Sequence, residues 1–231
     1  MLKTRIFVFN PIGTNCIVAW EDGSQLCTVF DPGMSNGEES RQLLDFLKEH
    51  SLTPGAILLT HGHFDHVWGV KALLEQWDVP VYMSFRDMEV LASGASIFRG
   101  MRSLRGLDTG FKVQEQPEAI TVGGVVWTVI PTPGHTPGGV CCYSEENSLL
   151  ISGDTLFAGA IGRTDLPGGD YDVLMQSLLE KVMTLPSDTD VIPGHGQPTS
   201  IGHEATSNPF LQPFNEADGD WWTQDGIPIQ P

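Results

Sequence analysis

The sequence predicts an α/β fold, and three observations lead to that prediction. β-rich runs separated by turn residues open the chain, helical patterns flank a short apolar run at 56–60, and a second cycle of strands comes before another helical pattern. A length of 231 residues with 40% hydrophobic residues suits one large α/β domain and is short for two. We therefore expect residues 1–231 to form a single domain.

The N-terminal half begins with three predicted strands. They are separated by proline, glycine and asparagine turn signals and cover residues 4–9, 14–20 and 25–31. Leucines at helical spacing then predict helices over 40–49 and 67–77, on either side of a strand over 56–60. The first half is therefore expected to be a meander followed by alternating strands and helices.

The second half repeats this plan. Strands are predicted at 118–123, 125–131, 139–143, 148–152 and 190–192. A helix over 171–184 separates the last two strands. Residues 92–116 contain few periodic apolar positions, and 208–231 are rich in proline and acidic residues. We expect 208–231 to form an extended C-terminal tail that packs through its aromatic side chains.

Seven histidines and aspartates form the most informative pattern in the chain. They are His61, His63, Asp65 and His66 in one short run, followed by His135, Asp154 and His195 in separate loops. Alternation places His61 and His63 on one side of an extended segment, and imidazole suits zinc, iron and similar divalent ions. An isolated histidine is more often an ordinary surface residue, but this concentration beside glycines and after strand-like runs favours a metal site. His50 and His203 lie in polar surroundings and are predicted to be surface residues.

The charge of the chain limits its partners. The 29 acidic residues outnumber 12 basic ones, which gives a formal net charge of -17. This charge would repel a polyanion, so we expect neither nucleic acid nor an anionic membrane surface as a partner. No apolar stretch approaches the length of a membrane span, and the first residues lead into a short strand rather than the core of a signal peptide. The protein is therefore expected to be cytoplasmic.

The cysteines are expected to be buried thiols. They stand among apolar neighbours, without the CxxC spacing of a zinc knuckle, at Cys16, Cys27, Cys141 and Cys142. A disulfide framework is not expected at this count in a large cytosolic domain. A catalytic cysteine is a weaker alternative, because nothing nearby predicts a lowered thiol pKa.

The order HxHxDH, then His, Asp and His, resembles the metallo-β-lactamase superfamily, and within it the glyoxalase II (hydroxyacylglutathione hydrolase) branch. Four further stretches carry the resemblance, at residues 10–16, 152–157, 162–165 and 191–196. The chain is most similar to short, single-domain bacterial members, which share the runs at 162–170 and 208–211. The resemblance implies a four-layer αβ/βα sandwich in which the ligand loops meet along one edge between two sheets.

The resemblance also implies which residues hold metal ions. One ion would bind His61, His63 and His135, a second would bind Asp65, His66 and His195, and Asp154 would bridge both. Such a site leaves room for solvent, which is typical of catalytic rather than structural metal sites. Zinc is the first expectation for two divalent ions, with iron or manganese as alternatives. The implied reaction is thioester or ester hydrolysis by a metal-bridging hydroxide. Asp65 and Asp154 would orient this nucleophile or take up the proton of the water that forms it.

Other functions remain open at this point. The persulfide dioxygenase branch is also similar to the chain at 162–165 and would use one iron on His61, His135 and Asp154, the facial-triad pattern. Lactam-hydrolysing members generally lack a bridging carboxylate at the position of Asp154, which makes antibiotic hydrolysis a minor alternative. A non-enzymatic metal-binding or interaction module would be expected to have lost a ligand. His195 in its Pro-Gly-His-Gly setting favours the dinuclear hydrolase.

The substrate is expected to be a small anionic thioester or ester. Full-length glyoxalase II enzymes, which this chain resembles, bind glutathione largely through a basic C-terminal helical domain, whereas no Lys or Arg follows His195 here. Arg163 is a candidate for contact with a substrate carboxylate, and a local pair with Asp165 is the alternative.

A basic segment supplies two further candidates for substrate binding. Arg99, Arg102 and Arg105 recur every three residues, so they would share roughly one face of a helical turn. We predict that 93–112 forms a mobile flap in which Arg99 and Arg102 attract an anionic substrate. The alternative is a solvated helix whose arginines pair with surface acids.

Overall fold

The computed structural model describes residues 1–97 and 109–212, and two β-sheets face each other in this part of the chain. The first sheet has five strands in the spatial order β1–β2–β3–β4–β5. Their bounds are β1 Leu2–Phe9, β2 Thr14–Glu21, β3 Leu26–Phe30, β4 Thr53–Leu58 and β5 Val81–Tyr82. The first three strands form an antiparallel meander, whereas β3, β4 and β5 run parallel.

The second sheet has six strands in the spatial order β13–β12–β9–β8–β7–β6. Their bounds are β6 Ala119–Val122, β7 Val125–Pro131, β8 Val140–Ser144, β9 Leu149–Gly153, β12 Asp190–Pro193 and β13 Thr199–Ser200. A small hairpin of β10 (Leu156–Phe157) and β11 (Ala160–Ile161) follows β9. Strands β9 and β12 are parallel neighbours, so their carboxyl ends lie at the same edge.

Within residues 1–97 and 109–212, six α-helices accompany the sheets. Their bounds are α1 Gly37–Glu49, α2 Phe64–Val67, α3 Val70–Leu74, α4 Met88–Ile97, α5 Tyr171–Ser177 and α6 Ile201–Ser207. Helix α1 begins after Asn36, whose side-chain oxygen accepts hydrogen bonds from the backbone N–H groups of Glu38 and Glu39. No helix within residues 1–97 or 109–212 has the length and apolar character needed to cross a membrane.

Three apolar clusters arrange these elements in layers. Phe30 and Trp127 lie between the sheets, with ring centroids 4.8 Å apart. The outer face of the first sheet packs on Leu43 and Leu47 of α1, and the outer face of the second sheet packs on Leu174 of α5. The layer order is therefore helix, sheet, sheet, helix, and the predicted α/β fold with its αβ/βα sandwich is confirmed.

The prediction of one helix over 67–77 is wrong. Helices α2 and α3 are separate because Gly69 lies between them, where its N–H donates to the Pro32 carbonyl at 2.7 Å. A Cβ atom at position 69 would lie only 2.8 Å from that oxygen and closer still to the Met34 side chain. This approach to the loop after β3 interrupts the helix. A tertiary contact has overridden a regular leucine pattern.

Other boundaries also differ from the sequence predictions. The predicted helix over 171–184 divides into α5 and a π-helical turn, Leu178–Val182. Part of the segment expected to be irregular, 92–116, belongs to α4, which continues to Ile97. The two-residue strands β5, β10, β11 and β13 were not predicted, because strands so short leave little alternation in a sequence.

Two predicted regions fall partly outside the described residues. Arg99 and Arg102 of the predicted flap lie outside them, as does most of the predicted tail at 208–231. The described beginning of that tail packs on the protein, because Leu211 is buried in the cluster behind the second sheet. The cysteines are buried and free, as predicted.

Candidate metal centre

The predicted ligands lie beyond the carboxyl ends of parallel strands or in neighbouring loops. His61 and His63 follow β4, Asp154 comes directly after β9, and His195 follows β12. His135 lies in the loop between β7 and β8. Strand β4 lies between parallel neighbours, and β9 and β12 are also parallel, so these ligand loops leave each sheet at one edge. Both sheets therefore contribute to a common site.

The structure brings the candidate ligands together in two groups. In the first metal set, the candidate ligand atoms of His61, His63 and His135 lie within 4.8 Å of one another. The second metal set contains Asp65, His66 and His195 at the same spacing. Asp65 and His66 belong to α2, which begins directly after His63.

Asp154 lies between the two metal sets. Its Oδ1 atom is 3.5 Å from His66 Nε2, and its Oδ2 atom is 3.5 Å from both His135 Nε2 and His195 Nε2. Only 11% of its side chain is exposed, so these contacts take place away from bulk solvent. Asp154 thus occupies the place that the resemblance assigns to a bridging carboxylate.

Buried polar atoms of the two sets fit bound cations. His63 Nδ1 and His135 Nε2 are 2.9 Å apart, and His66 Nε2 and His195 Nε2 are 3.2 Å apart. His61 Nε2 and Asp154 Oδ1 are buried and have no hydrogen-bond partner within the described residues. Buried polar atoms normally have partners, and imidazole with carboxylate is a donor combination that zinc, iron and manganese accept. The residues present therefore fit two divalent ions.

Burial keeps two members of the first metal set uncharged. It lowers the pKa of His61 well below its usual range, and the imidazoles of His66 and His63 add to the effect. Burial, together with His135, lowers the pKa of His63 to about 4. Because neutral imidazole is the form that binds a metal, these two side chains are ready ligands at neutral pH.

In the second metal set, neighbouring carboxylates raise the histidine pKa values instead. Burial opposes a charge on His66, but Asp65, Asp154 and Asp31 outweigh it and raise the pKa to about 9. Burial likewise opposes a charge on His195, but Asp154 and Asp65 raise its pKa to about 10. Burial would also raise the pKa of Asp65, yet His66 and His195 hold that pKa well below its usual value. The second metal set is therefore a cluster of compensating charges.

The first residues of β2 hold the second metal set in place. The Thr14 hydroxyl donates to Asp65 Oδ2 at 2.8 Å, which fixes the orientation of that carboxylate. The Asn15 side-chain amide donates to the carbonyl of Gly196, directly after His195, at 3.0 Å. The resemblance alone marked this stretch, residues 10–16, in the sequence, and the structure shows contacts from it that position two candidate ligands.

Asp31 is a functional candidate that the sequence analysis missed. It follows β3, is fully buried, and places Oδ2 2.9 Å from His66 Nδ1. The same carboxylate accepts hydrogen bonds from the Thr60 backbone N–H at 2.8 Å and the Thr60 hydroxyl at 2.6 Å. A carboxylate on the far ring nitrogen orients a histidine ligand and leaves Nε2 facing the second metal set. The available signal was an acidic residue at the carboxyl end of a strand, the placement shared by Asp154.

A cavity of about 1100 Å³ borders both metal sets. The predicted ligands in its lining are His63, Asp65, His135, Asp154 and His195. Apolar side chains in the same lining are Phe64, Val90, Phe157, Ile161 and Leu166. A cavity of this size, with polar groups concentrated at one place in an apolar wall, suits a small-molecule substrate.

Arg163 lines this cavity, but its side chain already has a partner. Its guanidinium forms two hydrogen bonds of 2.7 Å with Asp165, which is the local pair that the sequence left as an alternative. The backbone carbonyl of Arg163 lies 2.7 Å from His135 Nδ1. Since a carbonyl can only accept, Nδ1 carries the proton and Nε2 of His135 is left for a metal. Arg163 therefore touches the first metal set through its main chain.

The chain belongs to the metallo-β-lactamase superfamily. The family model described as "Metallo-beta-lactamase superfamily" matches residues 9–195, a span that contains every predicted metal ligand. Members of this family bind divalent metal ions. The superfamily predicted from the HxHxDH pattern is therefore confirmed.

Two relatives match nearly the whole chain. A "Probable metallo-hydrolase YqgX" from Bacillus subtilis (strain 168) is 39% identical over 93% of this chain and 100% of its own length. A "Hydroxyacylglutathione hydrolase GloC" from Haemophilus influenzae is 34% identical over 91% of this chain and 98% of its own length. The chain is therefore similar to these hydrolases over more than nine-tenths of its length.

Three solved structures have a similar fold. The BLEG-1 B3 metallo-β-lactamase superposes with a TM-score of 0.81 at 38% identity, covering 91% of this chain and 100% of its own. TTHA1623 in a di-iron-bound form gives a TM-score of 0.78 at 35% identity, covering 90% and 100%. ETHE1 from Myxococcus xanthus gives 0.73 at 27% identity, covering 90% and 84%.

Proposed function

We propose that this protein is a metal-dependent hydrolase that cleaves thioesters of the S-lactoylglutathione type or related esters. The carrying observation is the placement of Asp154 between two three-residue sets, with its buried Oδ1 atom lacking a partner within the described residues. In this proposal, the first and second metal sets each hold one divalent ion. The similarity to GloC supports the glyoxalase II-like activity, and YqgX supports hydrolysis in the wider sense.

The residues of the chain divide the work of this reaction. Bound divalent ions would polarise the substrate carbonyl and make a water molecule nucleophilic at neutral pH. In this proposal, Asp154 and Asp65 orient the attacking water or take up its proton; Asp154 Oδ1 has no hydrogen-bond partner within the described residues, and Asp65 Oδ2 accepts from Thr14. The Thr14 hydroxyl keeps Asp65 in a single orientation, and apolar walls such as Phe64 and Phe157 exclude competing water.

The features of the cavity favour an acyl thioester with weak recognition of the glutathione part. Arg163 is the one basic residue in the described cavity lining apart from histidine ligands, and Asp165 already neutralises it. The 93–112 segment remains the proposed source of positive charge for an anionic substrate. Common KM values begin at about 1 μM, and we therefore expect the KM for S-lactoylglutathione to lie well above that lower limit.

Zinc is the proposed metal, and iron is its main competitor. The ligand types do not separate zinc, iron and manganese, because imidazole and carboxylate accept all three. The di-iron form of TTHA1623 shows that a similar structure can hold two irons, which makes iron a concrete alternative here.

Two other activities have a specific observation in their favour. The chain resembles ETHE1, a persulfide dioxygenase, and His61, His135 and Asp154 offer the two-histidine, one-carboxylate pattern of a mononuclear iron oxygenase. The similarity to BLEG-1, described as a B3 metallo-β-lactamase, makes lactam hydrolysis a second alternative. Both belong in the assay that tests the proposal.

Elemental analysis combined with an activity panel tests the proposed function. Protein purified without chelators is analysed for zinc, iron and manganese and offered S-lactoylglutathione, a neutral thioester, an ester, a lactone, glutathione persulfide and a cephalosporin. We expect about two metals per chain and thioester hydrolysis. One iron with oxygen uptake on the persulfide would favour the dioxygenase, and a fully metallated protein that cleaves no thioester, ester or lactone would refute the hydrolase.

A further inference from the structure

Asp87 is a fully buried carboxylate outside the two metal sets. It ends a short 3-10 helix, Phe85–Asp87, directly before α4. Its Oδ2 atom accepts hydrogen bonds from the backbone N–H of Gly62 and the hydroxyl of Thr136, both at 2.8 Å. Its Oδ1 atom accepts a third from the backbone N–H of Gly138 at 2.6 Å. All three donors are uncharged, so the carboxylate serves hydrogen bonding rather than an ion pair.

These three donors belong to the two loops that carry the first metal set. Gly62 lies between His61 and His63 in the loop after β4 of the first sheet. Thr136 directly follows His135 in the loop between β7 and β8 of the second sheet. One carboxylate therefore ties together ligand loops that arise from different sheets.

The packing around Asp87 is close on both sides. A Cβ atom added at Gly62 would lie 2.9 Å from the Asp87 carbonyl oxygen, and one added at Gly138 would lie 2.8 Å from Asp87 Oδ1. Both positions are glycine because the loops approach the carboxylate through their main chains. The contact leaves little freedom for one loop to move relative to the other.

We propose that Asp87 is the positioning residue of the first metal set, acting on the separation of its two loops. It touches no metal ligand atom, but it fixes the main chain on both sides of the gap between His63 and His135, whose facing nitrogens are 2.9 Å apart. An asparagine would present an amide group toward at least one N–H or O–H donor, so one loop would lose its anchor. Outer residues of this kind typically change metal affinity about 10- to 100-fold.

Glu204 offers a matched control. It is also fully buried, and its carboxylate accepts three hydrogen bonds, from the N–H of Gly159 at 2.9 Å, Thr199 Oγ1 at 2.6 Å and Asn208 Nδ2 at 2.8 Å. It lies in α6 and contacts neither loop of the first metal set in the described structure. Glu204→Gln therefore disturbs a comparable buried network without touching the ligand loops.

The test measures zinc dissociation constants by competition with a chromophoric chelator, together with Tm, for wild type, Asp87→Asn and Glu204→Gln. Each variant is also made in an Asp65→Ala background, where the remaining metal reports on the first metal set. We expect Asp87→Asn to weaken zinc binding to the first metal set about 10- to 100-fold while the second constant changes little. Glu204→Gln is expected to lower Tm and leave both constants near wild type.

Two further measurements keep the test decisive. In metal-free Asp87→Asn, hydrogen exchange should be faster than in wild type in the peptides that cover 61–64 and 134–139. Exchange in the other peptides should stay at the wild-type rate. If Asp87→Asn does not fold, Thr136→Val removes one of the three hydrogen bonds and should weaken the same constant by a smaller factor.

The inference rests on the proposed metal centre, and the outcomes separate the two. Wild-type protein that binds no metal would overturn both. Wild-type protein with two metals, together with unchanged first-set affinity in Asp87→Asn or Thr136→Val, would overturn only the role of Asp87. Equal weakening by Glu204→Gln, in proportion to its loss of Tm, would also overturn it, because the effect would then be general destabilisation.

Discussion

The two metal sets have the same number of candidate ligands but opposite electrostatics. The first metal set consists of imidazoles, and the pKa of both His61 and His63 is lowered by burial. The second metal set includes a carboxylate, and there the pKa values of His66 and His195 are raised to about 9 and about 10. Neutral ligands are therefore ready in one set, whereas protons compete with a metal in the other.

This difference extends to the residues that support each set. The first metal set is supported by hydrogen bonds from neutral loop groups to Asp87, and the second by direct contacts of Thr14 and Asp31 with its ligands. The comparison indicates that loop geometry governs the first set and local charge governs the second. Changes in each kind of support should therefore have separable effects.

The largest effect is expected from Asp154→Asn, which removes the charge between the two sets. We expect kcat/KM for a thioester to fall at least about 100-fold while the fold is retained, because a neutral amide cannot hold two cations together. The measurement is steady-state kinetics with metal analysis and circular dichroism. Wild-type turnover with both metals retained would show that Asp154 does not bridge the sets.

The second-largest effect is expected in the pH dependence of metal affinity, which should differ between the two sets. His66 and His195 have raised pKa values and are protonated at neutral pH in the metal-free protein, so a metal must displace those protons. Below about pH 9, the affinity of the second set for a metal should therefore rise as pH increases. The rise should reach up to about 100-fold per pH unit where two protons are displaced. Above pH 6, the first set should vary far less, because the pKa of His63 is already about 4.

Chelator competition between pH 6 and pH 8, in wild type and in Asp65→Ala, measures both dependences. Calorimetry in buffers with different ionisation enthalpies counts the protons released. Equal slopes for the two sets would contradict the electrostatic difference between them.

Thr14→Val should produce a smaller and selective effect. The substitution removes the hydroxyl that donates to Asp65 Oδ2 at 2.8 Å but retains the volume of the side chain. We expect the second-set zinc affinity to fall about 10-fold and the first-set affinity to stay near wild type. Thr14→Ser, which keeps the hydroxyl, is the control. A loss at the first set, or an equal loss in the serine variant, would speak against the proposed contact.

The smallest effect is expected from charge reversal at Arg99 and Arg102 in the predicted flap. For an anionic thioester, kcat/KM should fall a few-fold, roughly as expected for lost electrostatic attraction, and should lose its dependence on salt. A neutral ester should be little affected. Equal effects on both substrates would leave the solvated-helix interpretation of this segment and remove substrate selection from its role.

The candidate ligands could be identified from the sequence because each one stands in a recognisable short pattern. The run from His61 to His66 is compact, and Asp154 and His195 each follow an apolar strand beside a glycine. The strands and helices that carry them also leave clear periodic patterns. The order of sheet and helix layers therefore needed no information beyond the sequence and its family resemblance.

The supporting residues could not be found in the same way. Asp87 acquires its role by contacting Gly138, which is 51 positions away, and Asp31 by contacting His66, 35 positions away. A single buried acid has no distinguishing pattern in a chain with 29 acidic residues. The break at Gly69 is similar, because its cause is the distant Pro32 carbonyl rather than the leucines around it.

Because the ligands come from both sheets, the members of each metal set are synthesised at different times. His61 and His63 are made early, but the first metal set lacks a member until His135 has emerged from the ribosome, and the second waits for His195. In the proposed centre, the chain therefore contains every member of the purely imidazole set before it contains every member of the mixed set. Each set combines residues that follow strands of both sheets, so metal binding at either set would require the two sheets to have packed together.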